Sequence, residues 1–195
     1  LFGLDLHKST RYQDYLVGMN IHRSLYKWDP NKNEPELELA ESVTVSDDGL
    51  VLTFKLRPNI KFHNGRQLIA DDVIWSYNRI ASLKPASPQL DQVKPIKGVK
   101  EVVEGKATSI SGLKKIDDLT FEMTLTDPVD IKFYLWLPGT DIFPQEEVER
   151  LGDAFATNPV GCGPFKFKEW RSDQYILLDR FQEYWDGPPK YETYI

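Results

Sequence analysis

Apolar and polar positions along this chain change period repeatedly, and each change marks an element. Between Tyr12 and Tyr26, the residues Leu16, Met19, Ile21 and Leu25 predict a helix with a broad apolar face. The stretch Asp29 to Pro35, DPNKNEP, is polar and reads as a connection. Two-residue alternation follows. Glu41 to Ser46 predicts one strand and Val51 to Arg57 a second. In the second, Leu52, Phe54 and Leu56 share one face while Thr53, Lys55 and Arg57 share the other. Asp47-Asp48-Gly49 joins them as a turn, since glycine takes a left-handed conformation at no steric cost. After a loop over Pro58 to Gly65, Asp71 is placed to cap a helix from Asp72 to Ala81. Its Val73, Ile74, Tyr77 and Ile80 are spaced for burial.

The stretch 83–112, rich in Ser, Pro, Gly and Lys, predicts irregular backbone with a short helix around Val99 to Glu104. Leu113 to Asp117 and Leu119 to Thr126 predict a second hairpin, turned at Asp117-Asp118. Val129 to Leu137 predicts an apolar helix, and Gln145 to Leu151 a short acidic helix behind Pro144. Val160 to Trp170 and Tyr175 to Phe181 read as two final strands joined at Arg171 to Gln174. Antiparallel hairpins and helices interleave without a βαβ rhythm, which predicts an α+β fold.

Composition narrows the picture. The chain has 195 residues, 41% of them hydrophobic, enough core for one domain or one and a half. A net charge of -6 argues against nucleic acid, whose partners cluster Lys and Arg. No apolar run approaches the roughly 20 residues of a membrane helix. Cys162 is the one cysteine, so no intrachain disulfide forms and the compartment stays open. The opening LFGLDLHKST has neither the charged start nor the apolar stretch of a leader, and the chain stops at YETYI behind a Gly-Pro loop. Both ends read as cut, so a piece of a longer protein is expected.

Candidate chemistry is sparse. His7, His22 and His63 are far apart and not at metal-ligand spacing, so neither metal nor cofactor is expected. Cys162, between the glycines of VGCGPF, reads as a small buried thiol. The pairs Asp47-Asp48, Asp71-Asp72 and Asp117-Asp118 could serve acid–base work, but turn chemistry and helix capping explain them. No phosphate-loop, dinucleotide or serine-hydrolase motif occurs. Trp28, Trp75, Trp136, Trp170 and Trp185 suit a solute pocket and a core alike. The residues by themselves give an α+β domain with no catalytic apparatus, and no enzyme is expected.

Six blocks in order carry a resemblance. They are LDLHKS at Leu4; MNIHRSLYKWDP at Met19; Leu39 to Tyr77, with the DDG hairpin, FKLR, KFHNG and an A-x-D-V helix start; LKKIDDLTFEMTLTDPV; NPVGCGPFKFKEW; and DRFQEYWDGPPKYETYI. Together they resemble the family 5 extracellular solute-binding proteins of ABC importers. Leu6, where the family has Pro, Cys162, where it has Thr, and Phe181-Gln182, where it has Asn-Pro, depart from the pattern. The resemblance implies a periplasmic-binding-protein-like fold with an extra small domain, of which this chain holds an incomplete part of two lobes. Residues 1–30 would belong to the first lobe, 31–157 to the small domain, and 158–195 to strands returning to the first lobe. It implies ligand contacts at Ser9, Thr10, Arg11 and Tyr12, at Gln89 behind Ala86-Ser87-Pro88, and at Pro138, Gly139 and Thr140. Oligopeptide binders often carry an acidic residue at the position of Thr10 and an aromatic at that of Gln89; this chain carries neither. The implied function is capture of a peptide or similar small solute for ABC permease subunits. The implied state is a monomer, periplasmic or lipid-anchored on the outer face of the cytoplasmic membrane. A sensory receptor domain, a hydrolase using the scattered carboxylates, and an interaction module remain open beside it.

Overall fold

Alternation over residues 40–56 makes the first durable element, because antiparallel pairing turns Leu52, Phe54 and Leu56 together into the core. In the computed structural model, which describes residues 3–195, β3 (Ala40–Val45) pairs with β4 (Val51–Leu56). The remaining elements are, in chain order, α1 (Tyr12–Ile21), β1 (Tyr26–Asp29) and β2 (Glu34–Leu37) before that hairpin, then α2 (Ala70–Ser82), α3 (Leu90–Val93) and α4 (Val99–Val103). They continue with β5 (Leu113–Lys115), β6 (Thr120–Thr124), α5 (Lys132–Leu135) and α6 (Gln145–Leu151) with a 3-10 turn at Gly152–Ala156. The last are β7 (Phe165–Arg171), β8 (Tyr175–Arg180) and β9 (Thr193–Tyr194). The strands form sheets in the orders β1-β2, β3-β4-β6-β5 and β7-β8-β9, with every pairing antiparallel.

The β3–β4 turn is locked by Asp48, whose Oδ1 accepts the Leu50 N–H at 3.0 Å and the Ser46 hydroxyl at 2.6 Å. Phe54 of β4 faces Phe121 of β6 in register, with rings stacked 5.1 Å apart. A cross-strand aromatic pair of this kind contributes about 0.5–1 kcal/mol. Val73, Tyr77 and Ile80 of α2 are fully buried in the same cluster. That cluster gathers residues from Leu25 to Cys162. A second cluster, Leu4, Ile21, Phe165, Ile176 and Leu178, joins α1 to the β7–β8 sheet. A third, Leu6, Phe143, Val148 and Phe155, includes residues of the opening segment and α6.

Several boundaries differ from the sequence expectation, each for a physical reason. The first helix ends at Ile21 rather than Tyr26, because the Ile21 carbonyl takes its hydrogen bond from Gly163 N–H at 2.8 Å. Leu16 and Met19 of its expected apolar face are about half exposed, while Ile21 and Leu25 are buried. The polar stretch DPNKNEP is a hairpin turn plus the start of β2: Asp29 Oδ1 accepts the Asn31 N–H at 2.8 Å and Asn33 takes φ 56°. The expected helix Val129 to Leu137 contracts to α5, because the Leu137 carbonyl bonds to Thr140 instead. Asp71 does not cap α2. The helix starts at Ala70, so Asp72 reaches back to Ile69 N–H at 2.9 Å, while Asp71 pairs with Lys115 at 2.6 Å.

The strand expected from Val160 begins only at Phe165, because the chain first crosses the end of α1 at close range. A Cβ at Gly161 would lie 2.1 Å from the Ile21 carbonyl oxygen, and one at Gly163 would lie 2.6 Å from that of Asn20. His63 staples this crossing. Its backbone N–H donates to Gly161 O at 2.8 Å, its Nδ1 accepts the Gly161 N–H at 3.2 Å, and its Nε2–H donates to Gly163 O at 2.9 Å. Cys162 between the two glycines is fully buried, as its context predicts. Gly161→Ala is therefore expected to lower stability by about 2–3 kcal/mol through overpacking against backbone, read as a lower urea midpoint with unchanged slope.

Candidate functional site

The site grows from a segment with no regular structure. Residues 3–9 are buried apart from Lys8, yet belong to no helix or strand. Buried backbone groups must find partners, so the surrounding elements supply them. Leu4 N–H donates to Ala156 O at 2.7 Å, and Leu4 O accepts from His22 Nε2 at 3.1 Å. His7 O accepts the Ser87 hydroxyl at 2.6 Å. Gln89 Nε2 donates to Leu6 O at 3.3 Å and to Ser9 O at 2.6 Å. Tyr15 hydroxyl donates to Ser9 O at 2.7 Å.

Charged side chains fix the same segment. Arg79 of α2 forks onto Asp5, with Nη1 at 3.0 Å and Nη2 at 2.6 Å from its two oxygens. Arg79 Nη1 also donates to His7 Nδ1 at 2.9 Å. Arginine only donates, so Nδ1 is the acceptor and the proton sits on Nε2, which donates to Asp141 O at 2.9 Å. Burial alone would raise the Asp5 carboxyl, but the Arg79 fork outweighs it and holds the group below its ordinary value. Burial, reinforced by the Arg79 charge, pushes His7 down to about 3. Burial likewise takes His22 to about 3 and His63 to about 4. All three rings are neutral at pH 7.

The candidate ligand residues converge around Gln89. Thr10, Arg11 and Tyr12 are exposed at the start of α1. Ser9 shapes that start, its hydroxyl donating to Asp14 Oδ2 at 2.6 Å and accepting the Arg11 N–H at 3.1 Å. Gln89 is 3% exposed and lies against Gly139, where a Cβ would fall 2.5 Å from the Gln89 Cδ. Gly139 has φ 98°, which a residue with a side chain rarely adopts. Pro138 is half-buried, while Thr140 is fully buried and turns its hydroxyl to the Leu137 carbonyl at 2.9 Å. The structure thus joins the strips 9–12, 87–89 and 138–140, in which residues 10–12 and Pro88 are exposed. A cleft of about 500 Å³ between α1 and β8, lined by Leu16, Val17, Ile176 and Tyr194 among others, does not reach Gln89 or Gly139.

Sequence reasoning missed Ser24, Ser87 and Asp141. Asp141 Oδ2 accepts the Gly139 N–H at 2.9 Å and Oδ1 accepts the Ser24 hydroxyl at 3.2 Å, holding the 138–141 turn. Burial pushes its carboxyl up to about 6. Its place directly behind Gly139-Thr140 was the available signal. The three aspartate pairs take structural positions: Asp48 and Asp117 accept backbone N–H groups in their turns, and Asp72 closes the start of α2. Among the described residues no group of three or more His, Cys, Asp or Glu is placed to hold a metal ion, and no helix is long and apolar enough to cross a membrane.

Two pH effects of opposite sign follow. The histidines have folded values of about 3, 3 and 4, below the unfolded 6.5. Their contribution is complete above pH 6.5 and is lost as pH falls toward 3, so urea midpoints should drop through that window and His22→Gln should flatten the drop. Asp141 has a folded value of about 6, above the ordinary 3.8 of an aspartate. Its contribution is complete below pH 3.8 and lost as pH rises through 6. Relative to Asp141→Asn, the unmodified protein should therefore lose stability between pH 4 and pH 7, measured by urea unfolding of both at each pH.

Residues 34–195 match the model of the bacterial extracellular solute-binding proteins, family 5 Middle. The periplasmic oligopeptide-binding protein OppA of Salmonella typhimurium is 33% identical over 192 residues, covering 95% of this chain and 35% of that protein. The dipeptide-binding protein of Escherichia coli is 32% identical over 172 residues, covering 80% of this chain and 31% of that one. The substrate-binding domain of an oligopeptide ABC transporter from Bacillus anthracis superposes with a TM-score of 0.87 at 31% identity, over 94% of this chain and 36% of its own. Listeria monocytogenes OppA bound to peptide gives 0.88 at 27% identity, over 95% of this chain and 38% of its own. The chain spans about a third of the length of these relatives. Match, identity and fold agree, and the chain belongs to the family 5 extracellular solute-binding proteins of bacteria.

Proposed function

We propose that this chain is part of the extracytoplasmic solute-binding component of an ABC importer, which captures a peptide or similar small solute and makes or breaks no bond. Family membership supports this reading, and the observation that carries it is the convergence of three distant strips on Gln89. Such a site needs a rigid floor under an accessible rim, because binding energy is lost wherever ordering must accompany binding. Buried Gln89, Gly139 and Thr140 form the floor, and exposed Thr10, Arg11 and Tyr12 form the rim.

One apolar cluster supports the proposed division, while the main cluster, from Leu25 to Cys162, and the one joining Leu6 to Phe143 tie its parts together. Residues 1–30 and 158–195 would build the first lobe, joined through Leu4, Ile21, Phe165, Ile176 and Leu178. Residues 31–157 would form the small domain around the β3-β4-β6-β5 sheet. The component would act as a monomer outside the cytoplasmic membrane, free in the periplasm or lipid-anchored, and deliver its solute to permease subunits.

A thermal-shift screen of the protein expressed from its complete reading frame tests the reading, against peptides, oligosaccharides and nickel chelates. A ligand at 100 times its dissociation constant should stabilise the protein by about 2.7 kcal/mol. A saturable shift with one class, with the ligand recovered intact by mass spectrometry, is expected. Turnover of the ligand, or no shift with any class, would overturn it.

A further inference from the structure

Asn64-Gly65 is the one Asn-Gly pair in the chain, and it forms the tip of a closed turn. Phe62 N–H donates to Arg66 O at 2.8 Å, Gly65 N–H donates to Phe62 O at 2.9 Å, and Gly65 takes φ 90°. The Asn64 amide is oriented from both sides. Its Oδ1 accepts the Arg66 N–H at 3.1 Å, while its Nδ2 donates to Glu146 Oε1 at 3.0 Å and Glu147 Oε1 at 3.2 Å. These bonds link the turn to α6, together with Arg66, whose Nε donates to Glu146 Oε1 at 2.6 Å. Asn64 and Gly65 are exposed, and nothing lies within 4 Å of where a Gly65 Cβ would sit.

We propose that Asn64 is a site of spontaneous deamidation in the folded protein, and that the product carboxylate detaches the 62–66 turn from α6. The Gly65 nitrogen attacks Asn64 Cγ. The new C–N bond closes a succinimide as the Cγ–Nδ2 bond breaks, and the Gly65 proton leaves on the departing nitrogen as ammonia. Water then adds to either imide carbonyl and restores the N–H, giving aspartate or isoaspartate. Glycine after the asparagine leaves the attacking nitrogen unshielded. The Arg66 N–H draws charge from the Cγ carbonyl, and the two glutamates favour positive charge developing on the departing nitrogen. Attack requires release of the hydrogen bond from Gly65 to Phe62. That opening is confined to exposed backbone, while His63 stays fastened to Gly161 and Gly163. Afterwards a carboxylate faces Glu146 and Glu147, where an amide had donated to both. The isoaspartyl form also inserts an extra backbone carbon into the turn that Phe62 N–H and Arg66 O close.

For the test, the protein expressed from its complete reading frame is incubated folded at mildly alkaline pH, beside a synthetic peptide of residues 58–70. Trypsin, cutting behind Lys61 and Arg66, releases Phe62–Arg66. Mass spectrometry and an isoaspartate-specific methyltransferase read the two products. Aged protein should yield this peptide in its acid forms. The converted fraction, separated by ion exchange, should have a lower urea midpoint with unchanged slope. Asn64→Asp should show the lowered midpoint without ageing. Asn64→Gln, which would need a larger ring, should keep its mass and its midpoint through the incubation. Recovery of the intact amide from folded protein after the free peptide has converted overturns the proposal. Conversion that leaves the midpoint unchanged, or an Asn64→Asp midpoint equal to that of the unmodified protein, overturns the detachment.

Discussion

A buried segment without helix or strand is the constraint on which the rest of this structure depends. Residues 3–9 leave their backbone polar groups inside the protein with no ladder to satisfy them. Each group then dictates a partner elsewhere. Leu4 O requires His22, His7 O requires Ser87, and Ser9 O requires both Gln89 and Tyr15. An unsatisfied buried group costs about 1–3 kcal/mol, so these demands are comparable to large core mutations. They pull the end of α1, the 87–89 corner and the 138–141 turn onto a single strand of chain.

The charges in this seam are better understood as positioning than as net stabilisers. The Arg79–Asp5 fork is almost wholly removed from solvent, with 11% and 5% of the two side chains exposed. Desolvation offsets most of what such a pair gains, whereas breaking it costs about 3–5 kcal/mol. What the fork supplies is registry. It fixes Asp5 beneath α2 and sets the tautomer of His7, which in turn holds Asp141 O. The Asp141 carboxylate then holds the turn that carries Gly139, and Gly139 leaves the room that Gln89 fills. One ion pair is thereby linked through four hydrogen-bonded or touching groups to the floor of the candidate site.

Local signals made much of the fold legible. The two hairpins of the central sheet follow two-residue alternation and Asp-rich turns, and α2 follows three-four spacing. Among the failures, the end of α5 is local, set by Thr140 three residues beyond the Leu137 carbonyl. Two others share a cause. Ile21 ends its helix and Gly161 delays β7 because distant backbone groups claim the carbonyl or the space, which no window of neighbouring residues encodes. The candidate site was legible only through resemblance, for the same reason. Thr10, Gln89 and Gly139 carry no shared local pattern, and their convergence is a product of the buried segment. Asp141 and Ser87 were hidden because each acts on backbone rather than on another side chain with recognisable chemistry.

The proposed binding role fits the physical character of these buried groups. Catalytic groups need polar atoms held ready for a reacting centre, with proton affinities tuned to donate or accept there. Here the perturbed groups point inward: the three neutral histidines are spent on backbone and Arg79, and the Asp141 carboxylate on a turn and Ser24. Their burial fixes geometry instead of preparing a proton for transfer. A solute-binding surface requires that rigidity, because every rotor frozen in advance is one whose entropy the complex need not lose. The exposed rim at Thr10 to Tyr12 rests on Ser9, and Ser9 is held from both sides by Gln89 and Asp14. The same hydrogen bonds that satisfy an awkward buried backbone therefore stiffen the exposed residues 10–12.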